Sequence, residues 1–69
     1  MTQEFNNADH LQTLAKGLKV IEAFDGNDHL TISSAAKLTD ISRPTARRVL
    51  ITLVNLGYAQ ALDNRFYLT

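Results

Sequence analysis

Three arginines without acidic neighbours are the strongest chemical signal in the sequence. Arg43, Arg47 and Arg48 lie close together, and no Asp or Glu occurs from residue 41 to residue 62. A guanidinium group can form paired hydrogen bonds with phosphate oxygens or with the O6 and N7 atoms of guanine. A solvated charged face is the simpler interpretation, but the arginines begin a helix that follows a turn. We therefore predict that they bind double-stranded DNA.

A helix of about residues 42–56 is predicted to carry these arginines. Ser42 is a good N-cap, Pro44 suits the first turn, and Gly57 can adopt the left-handed conformation that ends a helix. Apolar residues at intervals of three and four are expected to face the core: Ala46, Val49, Leu50, Leu53 and Leu56. The opposite face is free for contact and carries Thr45, Arg48, Thr52 and Asn55.

The roles of the candidate site residues follow from their places on this helix. A helix that enters the major groove reads bases with its N-terminal residues. Base-edge contacts are therefore predicted for Pro44, Thr45 and Arg48. Phosphate contacts are predicted for Ser42, Arg43 and Arg47 from the same helix, for Arg65 from a hairpin, and for Lys16 from the first helix.

Two shorter helical segments are predicted before this helix. Residues 11–24 have an amphipathic pattern in which the apolar side comprises Leu11, Leu14, Ala15, Leu18, Ile21 and Phe24. Gly17 inside this pattern indicates either close packing or simple tolerance. After a turn at residues 25–28 and a short extended piece at residues 30–31, a second helix is expected from Ile32 to residue 38 or 39, capped by Thr31. Asp40 then occupies the turn, with Ile41 buried beneath it.

A β-hairpin is predicted after Gly57. Residues 58–62 and 65–69 are extended in character and flank Asp63 and Asn64, which suit a two-residue turn. In that register Ala59, Ala61, Phe66 and Leu68 pack inward, whereas Gln60, Arg65 and Tyr67 face outward. Tyr67 is either a packing residue of the hairpin or a hydroxyl donor to the backbone, and packing is the favoured role. The predicted fold is mainly α with a small β-hairpin, which is a winged helix-turn-helix of three helices plus a wing.

Composition excludes several classes of function. A chain of 69 residues forms one small domain, too small for a deep catalytic pocket, so no enzyme is expected. There is no cysteine, and His10 and His29 have no partner at metal-ligand spacing, so no metal or other cofactor is expected. The sequence shows neither a signal peptide nor a membrane span, which indicates a cytoplasmic protein.

The charge distribution supports the DNA prediction although the net charge is zero. Residues 1–36 carry two lysines and five carboxylates, whereas residues 37–69 carry five basic residues and two carboxylates. This asymmetry would direct a polyanion towards the half that contains the arginines.

About residues 11–69 resemble the N-terminal DNA-binding domain of IclR-type bacterial transcription regulators. The resemblance rests on residues 12–18, 21–24, 30–31, 42–50 and 53–58. It implies sequence-specific binding of double-stranded DNA by a homodimer, with an effector bound by a C-terminal domain that lies outside this chain. The run from Thr45 to Arg48 is most similar to the branch that controls catabolism of aromatic acids. Asp40 departs from the family, which commonly has glycine there, and residues 1–10 are expected to form a flexible arm.

A winged-helix module that binds protein instead of DNA is the alternative. It would be favoured if Ile51 and Val54 formed an exposed apolar patch and if the arginines were paired with carboxylates of the first half of the chain. Dimerisation through the first helix, indicated by Leu11 and Gly17, is compatible with either function.

Overall fold

The computed structural model describes residue 8 and residues 10–69. The helices are α1 (Gln12–Ala23), α2 (Ile32–Thr39) and α3 (Arg43–Asn55), and the strands are β1 (Ala59–Leu62) and β2 (Arg65–Leu68). The two strands form an antiparallel hairpin that follows the helices. The predicted winged helix-turn-helix is therefore confirmed. Of the predicted flexible arm, residues 1–7 and 9 lie outside the described residues.

Local hydrogen bonds fix both ends of α2. The Thr31 hydroxyl accepts from the Ser34 N–H at 3.0 Å, and the Ser34 hydroxyl accepts from the Thr31 N–H at 2.8 Å. This reciprocal capping box satisfies two amide groups at the helix start. At the other end Asp40 adopts the left-handed conformation, with φ 57° and ψ 45°, and its N–H donates to the Ala36 carbonyl. The predicted cap and turn are both confirmed.

The inner face of α3 supplies much of the core. Ala46, Leu50 and Leu53 are buried, and Val49 packs against them in part. Leu56 was expected to join them, but it is 65% exposed. It is the C-cap residue of α3, and the chain turns away at Gly57, which has a φ of 87°, so no element covers its side chain. Ile41 is only half-buried, although it does pack against the core.

The hairpin has the predicted register and turn. Ala59 pairs with Leu68 and Leu62 pairs with Arg65, and both turn residues have positive φ angles. Ala59 and Phe66 are buried as expected, but Ala61 and Leu68 are exposed. The reason is that a twisted two-stranded hairpin covers the helices with only part of one face. Phe66 also pairs with Leu30 through two backbone hydrogen bonds of 2.9 and 2.8 Å, which confirms the short extended piece before α2.

The core-facing side of α1 differs from the prediction. Val20 is fully buried and Phe24 nearly so, whereas Leu11, Leu14 and Leu18 are largely exposed. The helix has apolar residues on two faces, and the face that contains Val20 meets α2 and α3. A Cβ atom placed on Gly17 would meet nothing within 4 Å, so of the two interpretations of this glycine the structure supports tolerance.

Candidate nucleic-acid interface

The start of α3 is shaped by Ser42 and Thr45. The Ser42 hydroxyl accepts a hydrogen bond from the Thr45 N–H at 3.2 Å and donates one to the Thr45 hydroxyl at 2.8 Å. Ser42 is therefore the predicted N-cap, and it also fixes the orientation of the Thr45 side chain. Pro44 lies in the first turn and is exposed. Thr45 is half-buried, so only part of its surface is open to a ligand.

The three arginines of α3 are all exposed. A guanidinium nitrogen (Nη2) of Arg43 donates a hydrogen bond to the Ser33 hydroxyl on α2. In the described part of the chain, Arg47 and Arg48 make no side-chain ion pair or hydrogen bond. Their charges therefore remain available to a ligand.

Arg48 and Thr45 face a groove between α1 and α3. The groove has a volume of about 690 Å³, and Lys16 lies on its α1 side. The structure thus brings Lys16, predicted as a phosphate contact, to the same groove as two predicted base contacts. Arg43 points to the opposite side of α3, where it meets α2 through Ser33. Arg48 and Arg43 therefore lie on different sides of α3, the first towards α1 and the second towards α2.

Arg65 is placed on the wing. It is the first residue of β2, directly after the hairpin turn, and its side chain is exposed. Tyr67 is half-buried and its ring lies 5.6 Å from that of His29 at an angle of 45°. This ring contact agrees with the predicted packing role of Tyr67. His29 is likewise half-buried, and the sequence did not indicate this contact.

Two side chains that interact with the arginine region were not predicted. Ser33 holds the Arg43 guanidinium although the two residues are ten positions apart, which no local sequence pattern reveals. The Thr52 hydroxyl donates to the Arg48 carbonyl at 2.7 Å. A threonine four residues after its acceptor commonly forms this bond in a helix, so its spacing was the available signal. Thr52 was expected on the contact face, and it is exposed there.

The conditions set for the protein-binding alternative are not met. Ile51 and Val54 are half-buried, and Val54 packs against the core. Among residues 8 and 10–69, the hydrogen-bond partner of Arg43 is a serine, and none of the three arginines pairs with a carboxylate. The same residues contain no group of three metal-binding side chains. None of the helices within that part has the length and apolar character that a bilayer-spanning helix requires.

Comparison with known proteins gives one consistent result. Residues 13–63 match the IclR helix-turn-helix domain. The chain is 41% identical over 69 residues to the p-hydroxybenzoate hydroxylase transcriptional activator of Acinetobacter baylyi, covering 99% of this chain and 26% of that protein. It is 47% identical over 60 residues to the Pca regulon regulatory protein of Pseudomonas putida, covering 86% of this chain and 20% of the relative.

A solved structure agrees with these relatives. The crystal structure of a transcriptional regulator from Rhodococcus sp. RHA1 superposes with a TM-score of 0.82 and 49% identity, covering 87% of this chain and 24% of the other. The present chain thus spans about a quarter or less of the length of these proteins. None of these findings favours the protein-binding alternative.

Proposed function

The chain belongs to the IclR helix-turn-helix family of transcription regulators, and from this premise we propose that α3 enters the major groove of double-stranded DNA. The observation that carries the proposal is the set of three exposed arginines at the start of a capped helix, none of which pairs with a carboxylate among residues 8 and 10–69. An α-helix fits the major groove, where the base edges differ for every base pair. Recognition helices commonly contact those edges with their N-terminal residues.

Within this proposal the side chains divide by position. Arg48 lies on the outer side of α3, away from the buried Ala46 and Leu50, and together with Thr45 and Pro44 it contacts base edges. Arg48 can form two hydrogen bonds with guanine, and the Thr45 methyl group can pack on a thymine methyl group. Such contacts distinguish one base sequence from another.

Phosphate contacts come from residues around this centre. Arg43 and Arg47 occupy the side of α3 away from α1, Lys16 borders the groove next to Arg48, and Arg65 extends from the wing. These cations bind the sugar-phosphate backbone on both sides of the major groove, with Ser42 as a further donor. Phosphate contacts set the position of the domain on the duplex and supply affinity that is independent of sequence.

The relatives support a proposal for the wider role of the protein. Two of them are regulators named for p-hydroxybenzoate hydroxylase and for the Pca regulon. We place this chain in the same branch, as the DNA-binding unit (residues 11–69) of a homodimeric regulator of aromatic-acid catabolism. Two copies would bind half-sites about one helical turn apart or a multiple of it. Effector binding is assigned to polypeptide outside these 69 residues.

A salt-dependent binding titration tests the proposal. Fluorescence anisotropy would measure affinity for random duplexes and for duplexes enriched by selection. With about three phosphates neutralised per copy, log K should fall against log salt with a slope of about −5 for a dimer. Arg48→Ala should reduce the preference for the selected sequence. Arg43→Ala and Arg47→Ala should weaken binding to all duplexes and make the slope less steep.

Lys37→Ala provides a matched control. Lys37 is an exposed cation near the end of α2, outside the proposed contact set. Its loss should change affinity and slope much less than the loss of Arg47. Binding that does not respond to salt would refute DNA recognition by this surface. Equal, sequence-independent losses from all three arginine variants would refute the division into base and phosphate contacts.

A further inference from the structure

Strand β2 is joined to the segment before α2 through one pair of residues. Leu30 and Phe66 exchange two backbone hydrogen bonds of 2.9 and 2.8 Å and form an isolated antiparallel bridge. Such a pair fixes the distance between two chain segments, but a bridge that does not continue as a ladder resists a change of angle only weakly. A side-chain contact beside the bridge would hold that angle.

His29 and Tyr67 form a contact of this kind. In an antiparallel bridge the residues that flank the bonded pair face each other, so His29 lies opposite Tyr67. The centres of their rings are 5.6 Å apart and the rings are tilted by 45°, a separation that favours aromatic attraction. Both side chains are half-buried. Since cross-strand pairs stabilise the pairing of strands, the two rings hold β2 against the segment before α2.

The reach of Arg65 depends on where β2 is held. Side chains alternate along a strand, so Arg65 and Tyr67 project from the same face of β2, one on each side of Phe66. Within residues 8 and 10–69, the Arg65 guanidinium has no hydrogen-bond or ion-pair partner that would fix it. The position of the Arg65 backbone therefore sets which phosphate its side chain can reach.

We propose that His29 is a positioning residue for DNA binding, which acts through Tyr67 to hold the wing at the angle at which Arg65 meets a backbone phosphate. The proposal rests on the proposed function, which assigns Arg65 to a phosphate, and it adds a residue that does not itself touch DNA. A wing that is fixed before binding need not be ordered in the complex, which raises affinity. Because phosphate contacts do not read sequence, His29 increases affinity for all duplexes alike.

The surroundings of His29 favour this indirect role over a direct contact with DNA. His29 borders a surface groove that is also lined by the exposed Asp28. A carboxylate next to the imidazole repels a phosphate group, because like charges in close proximity are unfavourable. The ring of Tyr67, in contrast, lies against that of His29. His29 therefore affects DNA binding through the wing.

Fluorescence anisotropy titrations with a selected and a random duplex test this role. His29→Ala should weaken binding to both duplexes about 2–10-fold per copy, which is the cost of ordering one long side chain in the complex. The slope of log K against log salt should become less steep by up to about 0.9 per copy, as it should for Arg65→Ala. His29→Phe keeps a ring and should restore affinity to within about twofold. His10→Ala removes an exposed histidine and serves as the matched control, with affinity and slope unchanged.

A double-mutant cycle distinguishes positioning from a general loss of stability. His29→Ala should weaken binding in the original chain but not in the Arg65→Ala background, because the side chain that it positions is then absent. A general loss of stability would weaken binding in both backgrounds. Tyr67→Ala should match His29→Ala, whereas Tyr67→Phe should bind like the original chain. His29→Gln is a second variant without a ring and should match His29→Ala, and circular dichroism would check that each variant is folded.

Three results would overturn the positioning role of His29. The first is unchanged affinity in the ringless His29 variants, and the second is additive losses in the cycle with Arg65. The third is a loss from His29→Phe as large as that from His29→Ala, which would show that the ring contact is not responsible. In each case salt-dependent binding by the original chain would leave DNA recognition intact. Binding by the original chain that does not respond to salt would instead refute the proposed function itself.

Discussion

Replacing Asp40 by glycine should stabilise the domain. Asp40 ends α2 in the left-handed conformation, with φ 57° and ψ 45°, and leads into the turn before α3. The left-handed conformation costs an L-residue about 1–2 kcal/mol of folding stability. The cost is somewhat smaller for aspartate, because its side chain can form a local hydrogen bond. Glycine avoids that cost but loses about 0.5–1 kcal/mol more chain entropy on folding. We expect Asp40→Gly to raise the free energy of unfolding by about 0.5–1 kcal/mol.

Two further variants distinguish the effect of the left-handed backbone conformation on stability from the effect of the carboxylate charge. Asp40→Ala keeps the Cβ atom but has no polar side chain, so it should lower the free energy of unfolding by about 0.5–1 kcal/mol. Asp40→Asn tolerates the left-handed conformation and removes the carboxylate, so its stability should stay close to that of the original chain. The free energy of unfolding is therefore expected to be highest with glycine at position 40, intermediate with asparagine or aspartate, and lowest with alanine.

Thermal unfolding followed by circular dichroism can resolve these differences. For a domain of 69 residues, 1 kcal/mol corresponds to about 4–8 °C in Tm. Asp40→Gly should therefore raise Tm by about 2–8 °C. Urea titrations would check that the slope of unfolding free energy against denaturant is unchanged. If Asp40→Ala were as stable as Asp40→Gly, the left-handed backbone at residue 40 would not control the stability difference, and the reasoning would be wrong.

Three other predictions concern stability and side-chain coupling. Gly17→Ala should stabilise the monomer by about 0.5–1 kcal/mol in urea unfolding, because the added methyl group meets no atom within 4 Å; destabilisation would reveal hidden packing. Leu50→Ala should cost about 2–5 kcal/mol, whereas Leu56→Ala at a 65% exposed position should cost under about 1 kcal/mol; similar losses would contradict the core assignment. Ser33→Ala should weaken DNA binding in the original chain but not in the Arg43→Ala background, and additive losses in this double-mutant cycle would show that Ser33 does not act through Arg43.

The features that depend on local chemistry were predicted well. Thr31 and Ser42 cap their helices as expected, Asp40 and Gly57 take left-handed conformations, and the hairpin turns at Asp63 and Asn64. Each outcome depends on a few neighbouring residues and on backbone preferences that the amino-acid types set directly. The positions of the arginines at the start of α3 follow from the same local signals.

The features that depend on packing were predicted less well. Helix α1 has apolar residues on two faces, and periodicity alone cannot decide which face meets the other helices. Leu18 was assigned to the wrong face for this reason, while the burial of Val20 was missed. Likewise, alternation along the hairpin placed Leu68 inward, but it cannot show how far the helices extend beneath the strand. The link between Ser33 and Arg43 also depends on how α2 and α3 are oriented.

The pairing of Leu30 with Phe66 has a consequence for folding kinetics. The two residues are 36 positions apart, and their hydrogen bonds join the hairpin to the segment before α2. Closing so long a loop becomes favourable once the intervening helices have packed. The amide hydrogens of Leu30 and Phe66 should then exchange with solvent only when the whole domain opens, which makes them reporters of global stability.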